Sequence, residues 1–546
     1  MGIILNFNGN KEEVNSGSSL FDYAENMGIQ VPTSCRKQGK CKECLVEVTQ
    51  GMHLLSTPEE AEAHLKDQFR LSCRTKVTGS SGEITCHTMR RGEMQIERQS
   101  LHFEANNDAI HLEPRVTKKN EDVYIGEELI EPYDGSVHGI AMDLGTTTIV
   151  LRLINLETGK LIADSSFENP QRFGGSDVLA RIQYDTENKG RLLQRTLVGY
   201  INHAIEEFPV DPNSIYEMVV AGNSTMRDLF FRLSVYSIGQ NPYQSITELE
   251  FAEGKRSTTS LTEQAKRLGV KINPKGSIYA LPIISGHVGA DTTACMLAVD
   301  MANEERTVAI MDIGTNTELI LGNKNKIYAA SCPAGPAFEG GNITYGMPGL
   351  PGAIERVKIK EDGTIENQVI GGETPEGICG SGLVDLMSEL IRSDKMNHLG
   401  RFEEDDEIIL STPENPEVTF NESDVNELAQ AKGANVAGLH IIFNNFGINF
   451  DDIDVFYLAG GFGRHLNIDA SKRIGLIPNL EDDKILQIGN AAIEGACIAL
   501  LSQSKRAEME RLTHSVTHCK LETHPDFFDY FVEGCQFNPV DSLAIS

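Results

Sequence analysis

Four cysteines constrain the N-terminal part of this chain more than any other feature: Cys35, Cys41, Cys44 and Cys73. The first three lie in the run Cys35-Arg-Lys-Gln-Gly-Lys-Cys41-Lys-Glu-Cys44, and the fourth sits far downstream. Three close soft ligands and one distant ligand meet only if a loop wraps a common centre and the chain returns to it. That is the ligand pattern of a [2Fe–2S] cluster, which takes two thiolates per iron. Zinc sites usually draw on two Cys-x-x-Cys pairs, and one such pair is present here. Disulfides suit secreted chains, and the N-terminus carries no signal-peptide pattern. Zinc and plain thiols stay open as alternatives. Cys86, in Glu83-Ile-Thr-Cys-His87, lies outside the pattern and reads as a small buried residue.

The flanking pattern agrees with an electron carrier. Ile3-Ile-Leu-Asn-Phe7 reads as a strand, and Leu20, Ala24 and Met27 recur at helical spacing, with Ser18 or Ser19 as N-cap and Gly28 as the stop. Cys44-Leu-Val-Glu-Val48 leaves the loop as a strand, and Thr75–Val77 reads as another beyond Cys73. This arrangement resembles the plant-type and adrenodoxin-like ferredoxins, with a gap between the first two cysteines one residue longer than the plant spacing. The resemblance implies an α+β, β-grasp ferredoxin domain over residues 1–95.

Residues 96–136 read as a linker or small connector module: Glu113-Pro-Arg-Val-Thr-Lys-Lys-Asn-Glu-Asp122 is charged, and Glu131-Pro-Tyr-Asp-Gly135 is a turn signal. His102-Phe-Glu and Ala109-Ile-His-Leu are short strand candidates. Beyond them the chain contains a repeat at long separation. His138-Gly-Ile-Ala-Met-Asp143-Leu-Gly145-Thr146-Thr147-Thr148 reads as a strand, a tight turn and a second strand. Thr307-Val-Ala-Ile-Met-Asp312-Ile-Gly314-Thr315-Asn316-Thr317-Glu318 repeats it. An Asp at a strand end holds Mg²⁺ through water or orients a water. Glycine lets the turn approach phosphate, and amide and Thr hydroxyl donors bind phosphate oxygens.

These hairpins resemble the phosphate-1 and phosphate-2 motifs of the superfamily of sugar and acetate kinases, heat-shock-type chaperones and actin. Three further motifs stand in that family's order. Gly286-His-Val-Gly-Ala-Asp291 resembles the first connecting helix. Asp454-Val-Phe-Tyr-Leu-Ala-Gly460-Gly461-Phe-Gly463-Arg464 resembles the adenosine motif, and Gly489-Asn-Ala-Ala-Ile-Glu-Gly495 the second connecting helix. The resemblance implies an α/β, ribonuclease H-like two-lobed ATPase, with a first lobe over 137–305 and a second lobe with a C-terminal extension over 306–546. It places ATP against Gly145, Thr146, Thr147, Thr148, Gly314, Thr315, Asn316, Thr317, Gly460, Gly461 and Gly463. It gives Asp143 and Asp312 to Mg²⁺ through water, and it makes Asp143, Asp291 and Asp312 the catalytic candidates. Asp291 stands equally as a helix N-cap, and Glu318 as an edge-strand charge.

Ser331-Cys-Pro-Ala-Gly335-Pro-Ala-Phe-Glu339-Gly340-Gly341-Asn and Gly377-Ile-Cys-Gly380-Ser381-Gly382-Leu-Val-Asp385 are Gly-rich turns opening into helical patterns. With the N-terminal cysteines they resemble one family, the reductive activators of corrinoid proteins. The resemblance implies ATP-dependent return of a Co(II) corrinoid protein to Co(I) in an anaerobic methyltransferase system. A reduced ferredoxin or similar donor and a possible homodimer come with it. Cys332-Pro-Ala-Gly335 also resembles the Cys-Ala-Ala-Gly segment of 2-hydroxyacyl-CoA dehydratase activators, which makes a gated low-potential donor to another metalloenzyme the main alternative. Cys332 and Cys379 otherwise read as small buried residues. A redox-sensing ATPase and a small-molecule kinase are further alternatives, and no sequence feature specifies a sugar or acyl acceptor.

Composition narrows the partners. A net charge of −31 argues against broad nucleic-acid binding. Residues 1–95 are close to neutral, so the acidity lies beyond them, and the cluster loop is basic through Arg36, Lys37, Lys40 and Lys42, with Arg74 and Lys76 nearby. Such a rim steers an acidic redox partner or forms an ordinary solvated face. No apolar run is long enough for a membrane span. Eleven cysteines without a leader fit a reducing cytoplasm.

Overall fold

A computed structural model describes residues 2–66, 68–90, 112–372, 374–403, 407–410, 418–461 and 463–541. The N-terminal sheet runs in the order Asn10–Val14, Ile3–Phe7, Gly82–Thr88, Leu45–Gln50, Phe69–Leu71. Ile3–Phe7 pairs parallel to Gly82–Thr88, and the other pairings are antiparallel. Alternation along Ile3–Phe7 sends Leu5 and Phe7 inward, where they meet Leu20 and Ala24 of the helix Leu20–Asn26. That helix starts on a capping box in which Ser19 and Asp22 satisfy each other's amides. Cys86 is buried in the same core, as its flanking pattern implies. The expected strand at Thr75–Val77 forms only isolated bridges, at Lys76 and Val77. The strand comes before Cys73, at Phe69–Leu71, because Arg74 and Thr75 turn back on Leu71 through their amides.

The opposite face of this small sheet is not solvated. Leu45, Phe69 and Met89 are buried in one core with Ile140, Leu151, Leu197 and Tyr200 of the first lobe. Of the connector, residues 112–136 fold as an antiparallel sheet of Val116–Lys119, Asp122–Ile125 and Glu128–Pro132. Its Val116 and Val123 are buried against Ile154 and Tyr216. The strand candidates at 102–104 and 109–112 lie outside the described residues, apart from Leu112.

The repeat seen in sequence extends to two equivalent sheets. In the first lobe the order is Leu161–Glu168, Thr148–Asn155, His138–Leu144, Ile215–Ala221, Ser277–Ala280, Leu261–Gln264. In the second it is Lys326–Cys332, Thr317–Asn323, Val308–Asp312, Val455–Ala459, Ile485–Gly489, with Val516–His518 added beyond Lys326–Cys332. Each begins with three antiparallel strands and continues with two parallel ones, and in the first lobe Leu261–Gln264 closes the edge antiparallel to Ser277–Ala280. Ala221 stands beside Asp143 as Ala459 stands beside Asp312. Parallel pairing with helices on both faces explains the almost continuous burial of these strands.

The helices Ala290–Ala298 and Ala491–Leu501 pack together between the lobes. A Cβ at Gly495 would come within 2.0 Å of the Ala294 carbonyl oxygen, so this crossing requires a residue without a side chain. The second lobe also carries the long helix Glu422–Phe446, which buries Lys432 with its Nζ 3.5 Å from the Gly475 carbonyl and 5.7 Å from the Phe537 ring centre.

Burial pushes Lys432 down to about 7. The unfolded chain holds that proton up to about pH 10.4, so between the two values the unfolded state binds more protons. The lysine's cost to stability is therefore full below about pH 7 and fades as pH rises. Lys432→Met is expected to melt higher than the parent at about pH 6.5, with the gap closing by about pH 9.5. Thermal unfolding at the two pH values checks this, and a gap independent of pH would refute it.

Candidate functional site: a thiol-lined loop and an acidic cleft

The cluster loop is kinked by left-handed backbone at Arg36, Lys37 and Lys42, with φ of 51°, 63° and 69°. Three such residues without glycine in one loop mark a conformation held for function. The loop leaves the four thiols in two pairs. Cys44 donates to Cys73 across 3.2 Å between sulfurs, while Cys35 and Cys41 share a hydrogen bond. Burial raises Cys35, but hydrogen bonds from the Cys41 amide and thiol and the Lys40 amide outweigh it and bring the thiol down to about 7. Cys73 is lowered by the Cys44 thiol, and Cys44 is raised by giving that bond and by burial. Two adjacent pairs, each with one thiol already favoured as thiolate, fit two irons with two thiolates each. Cys44 is buried, and Cys35 is partly open beside exposed Arg36 and Lys40.

The loop's inner side faces the first lobe. Glu43 accepts from Ser34 at 2.5 Å and contacts His203 at 3.3 Å. The Arg195 guanidinium donates to the Lys40 carbonyl at 3.3 Å, and the Tyr184 hydroxyl to the His64 carbonyl at 2.8 Å. Arg195 and His203 lie on the helix Leu192–Glu207, and Tyr184 on the helix Val178–Glu187.

The second centre is a cleft of about 100 Å³ between the lobes, where the ends of the two repeated hairpins face each other. Asp143, Gly145, Thr146, Thr147 and Thr148 line it from one side, and Asp312, Gly314, Thr315 and Asn316 from the other. Gly460 and Gly461 close one wall. Gly460 has φ of 110°, and a Cβ there would come within 2.4 Å of the Ile313 carbonyl oxygen. Asp291 is also in the lining, on the first turn of the helix Ala290–Ala298. The N-cap of that helix is Gly289, so Asp291 is free of the capping role that its position suggests.

Two expected residues stay out of the lining. Thr317 is buried in its strand, and Gly463 takes up the next turn, bonding back to Gly460. Glu318 is no edge-strand charge. It is 2 % exposed, lines the cleft, and accepts from Thr292 and Ser331 hydroxyls at 3.0 and 2.8 Å.

Sequence reasoning missed Glu339 and Asn490. Glu339 lies in the quoted Gly-rich segment, which makes only the 3-10 turn Ala337–Glu339 rather than a helix, since Pro336 and Gly340 bound it. Its Oε2 accepts from the Thr147 hydroxyl at 3.0 Å and from the Thr315 hydroxyl, and those two hydroxyls are 2.9 Å apart. One carboxylate thus joins both hairpins across the cleft. Asn490, N-cap of the helix Ala491–Leu501, donates to Asp143 at 2.8 Å. The second Gly-rich segment, around Gly380, does not line the cleft.

Burial pushes Asp143 up to about 7, against the Asn490 hydrogen bond and with help from Asp312, Asp291 and Glu339. Burial likewise brings Asp291 up to about 7. It raises Asp312, opposed by the Cys295 thiol donating at 3.1 Å, and Glu339, opposed by the two threonines. Among the described residues lining the cleft, none is Lys or Arg. A polyphosphate enters such a cleft only with a hard cation that the carboxylates and phosphate oxygens share. The backbone turns, hydroxyls and Asp143/Asp312 pair fit Mg²⁺-polyphosphate. Cys332 and Cys379 are buried, as their small size in apolar surroundings implies.

Comparison with known proteins covers all of these parts. Residues 5–78 match the 2Fe-2S iron-sulfur cluster binding domain, residues 138–304 the RACo middle region, and residues 306–544 the C-terminal domain of RACo, the ASKHA domain. The chain is 28% identical over 598 residues to the corrinoid activation enzyme RamQ of Eubacterium limosum, spanning 96% of this chain and 97% of that protein. It is 24% identical over 419 residues to the [Co(II) methylated amine-specific corrinoid protein] reductase of Methanosarcina barkeri, spanning 72% and 76%. A solved structure of a reductive activator for corrinoid, iron-sulfur protein superposes with a TM-score of 0.71 at 28% identity, over 98% of each chain. With a ferredoxin-type domain seated on a two-lobed ASKHA ATPase, the chain belongs to the family of reductive activators of corrinoid proteins.

Proposed function

We propose that this protein spends ATP to return a corrinoid protein from Co(II) to Co(I), delivering one electron from a [2Fe–2S] centre held by Cys35, Cys41, Cys44 and Cys73. The observation that carries the reading is the pairing of these thiols in a domain packed directly on the lobe that bears the first phosphate-facing hairpin. When bound, the cluster supplies one-electron transfer, and plant-type clusters lie near about −400 mV. Corrinoid Co(II) is the harder substrate to reduce, and each roughly 59 mV of deficit costs tenfold for one electron.

ATP acts on that deficit through conformation. It favours whichever arrangement of activator and corrinoid protein binds it better, and the work delivered is limited by that difference in affinity. With nucleotide bound, Thr147 and Thr315 would donate to the polyphosphate from the two lobes, Asp143 and Asp312 would hold Mg²⁺, which supplies charge neutralisation of the phosphates, and Asp291 would order the attacking water. Nucleotide occupancy thereby sets the distance between the hairpins. A low-potential acidic protein such as reduced ferredoxin is the donor we favour, meeting the open Cys35 edge beside Arg36 and Lys40. We place the protein in the reducing cytoplasm, where the seven cysteines outside the cluster set stay as thiols. No helix of the described residues is long and apolar enough to cross a membrane. The dehydratase-activator alternative loses support because Cys332 is buried inside its strand, with its sulfur against Gly438.

Anaerobically reduced protein mixed with a Co(II) corrinoid protein is expected to raise the Co(I) absorption band only when Mg-ATP is present. Asp312→Asn should slow this at least about tenfold with the cluster spectrum intact, and Cys41→Ser should abolish it. Co(I) forming equally fast without ATP would refute the proposal. Glu339→Gln removes a negative charge where phosphate enters while keeping an acceptor for both threonines. Nucleotide affinity, titrated by calorimetry at low Mg²⁺, is expected to rise by roughly tenfold, about 1.4 kcal/mol.

A further inference from the structure

One short segment touches both centres. Asn169 supports the first phosphate-facing turn from behind: its backbone amide donates to the Thr147 carbonyl at 2.7 Å, and its Nδ2 to the Gly145 carbonyl at 2.8 Å. The same residue caps the 3-10 turn Pro170–Gly174, accepting from the Gln171 amide at 2.9 Å. The neighbouring side chains of this segment point to the ferredoxin domain. Arg172 Nη1 stands 3.0 Å from Glu168 Oε1 and 3.4 Å from Glu47 Oε2. Glu47 lies on the strand Leu45–Gln50, which leaves the cluster loop directly after Cys44. Glu47 also meets His87 on the adjacent strand at 2.9 Å. The Glu168 amide donates to the Met89 carbonyl at 3.0 Å, and the Phe173 ring meets His64 edge-on at 5.8 Å.

Both carboxylates are nearly buried, at 4% and 3% exposure, and a single guanidinium nitrogen lies between them. The shorter contact is to its own segment and the longer one crosses to the other domain. The structure holds one arrangement, in which the same nitrogen reaches both carboxylates, and a small displacement of the segment would lengthen the already longer contact to Glu47 while the contact to Glu168 moves with it. Coupling between sites needs an element that both ends bias, and this shared contact is placed to be one. On one end sits the turn that receives phosphate, and on the other the strand continuous with a cluster ligand.

We propose that Arg172 is the positioning residue through which nucleotide at the Gly145–Thr147 turn sets the seating of the ferredoxin domain. The proposal rests on the ATP reading of the cleft. Phosphate drawing on the turn shifts Asn169, the 3-10 turn follows, and the grip of Arg172 on Glu47 changes. The reverse holds by linkage: a change in seating alters nucleotide affinity by the same factor.

The test uses the full chain with its cluster loaded. Hydrogen exchange over residues 45–50 is compared with and without Mg²⁺ and a non-hydrolysable ATP analogue, in the parent, Arg172→Met, Arg172→Lys and Glu47→Gln. The parent is expected to change protection in this strand on binding the analogue. Arg172→Met, saturated with the analogue as verified by calorimetry, should retain less than about a fifth of that change. Arg172→Lys, which keeps a positive charge between the carboxylates, should restore part of it, and a merely structural role would not give that pattern. Glu47→Gln cuts the link from the ferredoxin side and serves if Arg172→Met fails to fold. A parent that binds the analogue with no response in 45–50, or an Arg172→Met or Glu47→Gln variant with an undiminished response, overturns the inference. A parent that binds no nucleotide instead overturns the reading of the cleft.

Discussion

The close packing of Gly495 against the Ala294 carbonyl fixes how two helices cross, and the crossing fixes how the two sheets face each other. Because the sheets are equivalent in strand order, a crossing at this point brings their corresponding strand ends together, Asp143 opposite Asp312 and Thr147 against Thr315. The helix that carries Gly495 also carries Asn490 at its N-terminus, so the contact that sets the angle also delivers a donor to Asp143. A side chain at Gly495 would therefore disturb the cleft without touching it. The interior on both sides of the crossing is continuous, with Ala141 and Val219 of one lobe and Ile310 and Tyr457 of the other in a single core. That continuity lets a small change at the hairpins be felt as movement of whole sheets, since packed interiors deform little.

The acidic character of the cleft is the second constraint. Asp143, Asp291, Asp312, Glu318 and Glu339 converge on a volume of about 100 Å³. Crowded and buried carboxylates resist ionisation together, so their arrangement is comfortable only when protonated, hydrogen-bonded or bridged by a cation. The Thr147, Thr315, Thr292, Ser331, Asn490 and Cys295 donors provide the hydrogen bonds. On the proposed reading a cation and phosphate would replace some of them, which would make occupancy a rearrangement of bonds already present.

Much of this was legible in the sequence because it is written in residue types with few other uses. Four cysteines with one loop spacing, and an Asp-x-Gly-Thr turn occurring twice between apolar strands, carry their chemistry locally. What escaped is defined by distance in the chain. Glu339 and Asn490 are an ordinary Glu and Asn, and only the folded chain brings them to Thr147 and Asp143. Glu318 reads as an exposed charge until the sheet order shows its strand paired on both sides. The strand near Cys73 falls before the cysteine because Phe69 and Leu71 have buried faces to fill, whereas Thr75–Val77 is occupied with turn bonds and isolated bridges. The sheet at 116–132 hid in a charged stretch because it rests on only a few apolar side chains, Val116 and Val123 foremost.

The buried back of the ferredoxin sheet bears on how an electron travels. Leu45, Phe69 and Met89 are part of the first lobe's interior. Detaching the domain would return them to water, at a cost of about 1.5–3 kcal/mol for each fully buried side chain of this size. Electron tunnelling rewards proximity, so either the carrier must swing out or the acceptor must come in. Here the carrier is moored, with one edge of its metal-binding loop left facing outward. With the cluster in that loop as proposed, the protein would work as a quay rather than a ferry: donor and corrinoid acceptor alike would have to come alongside a carrier that stays put.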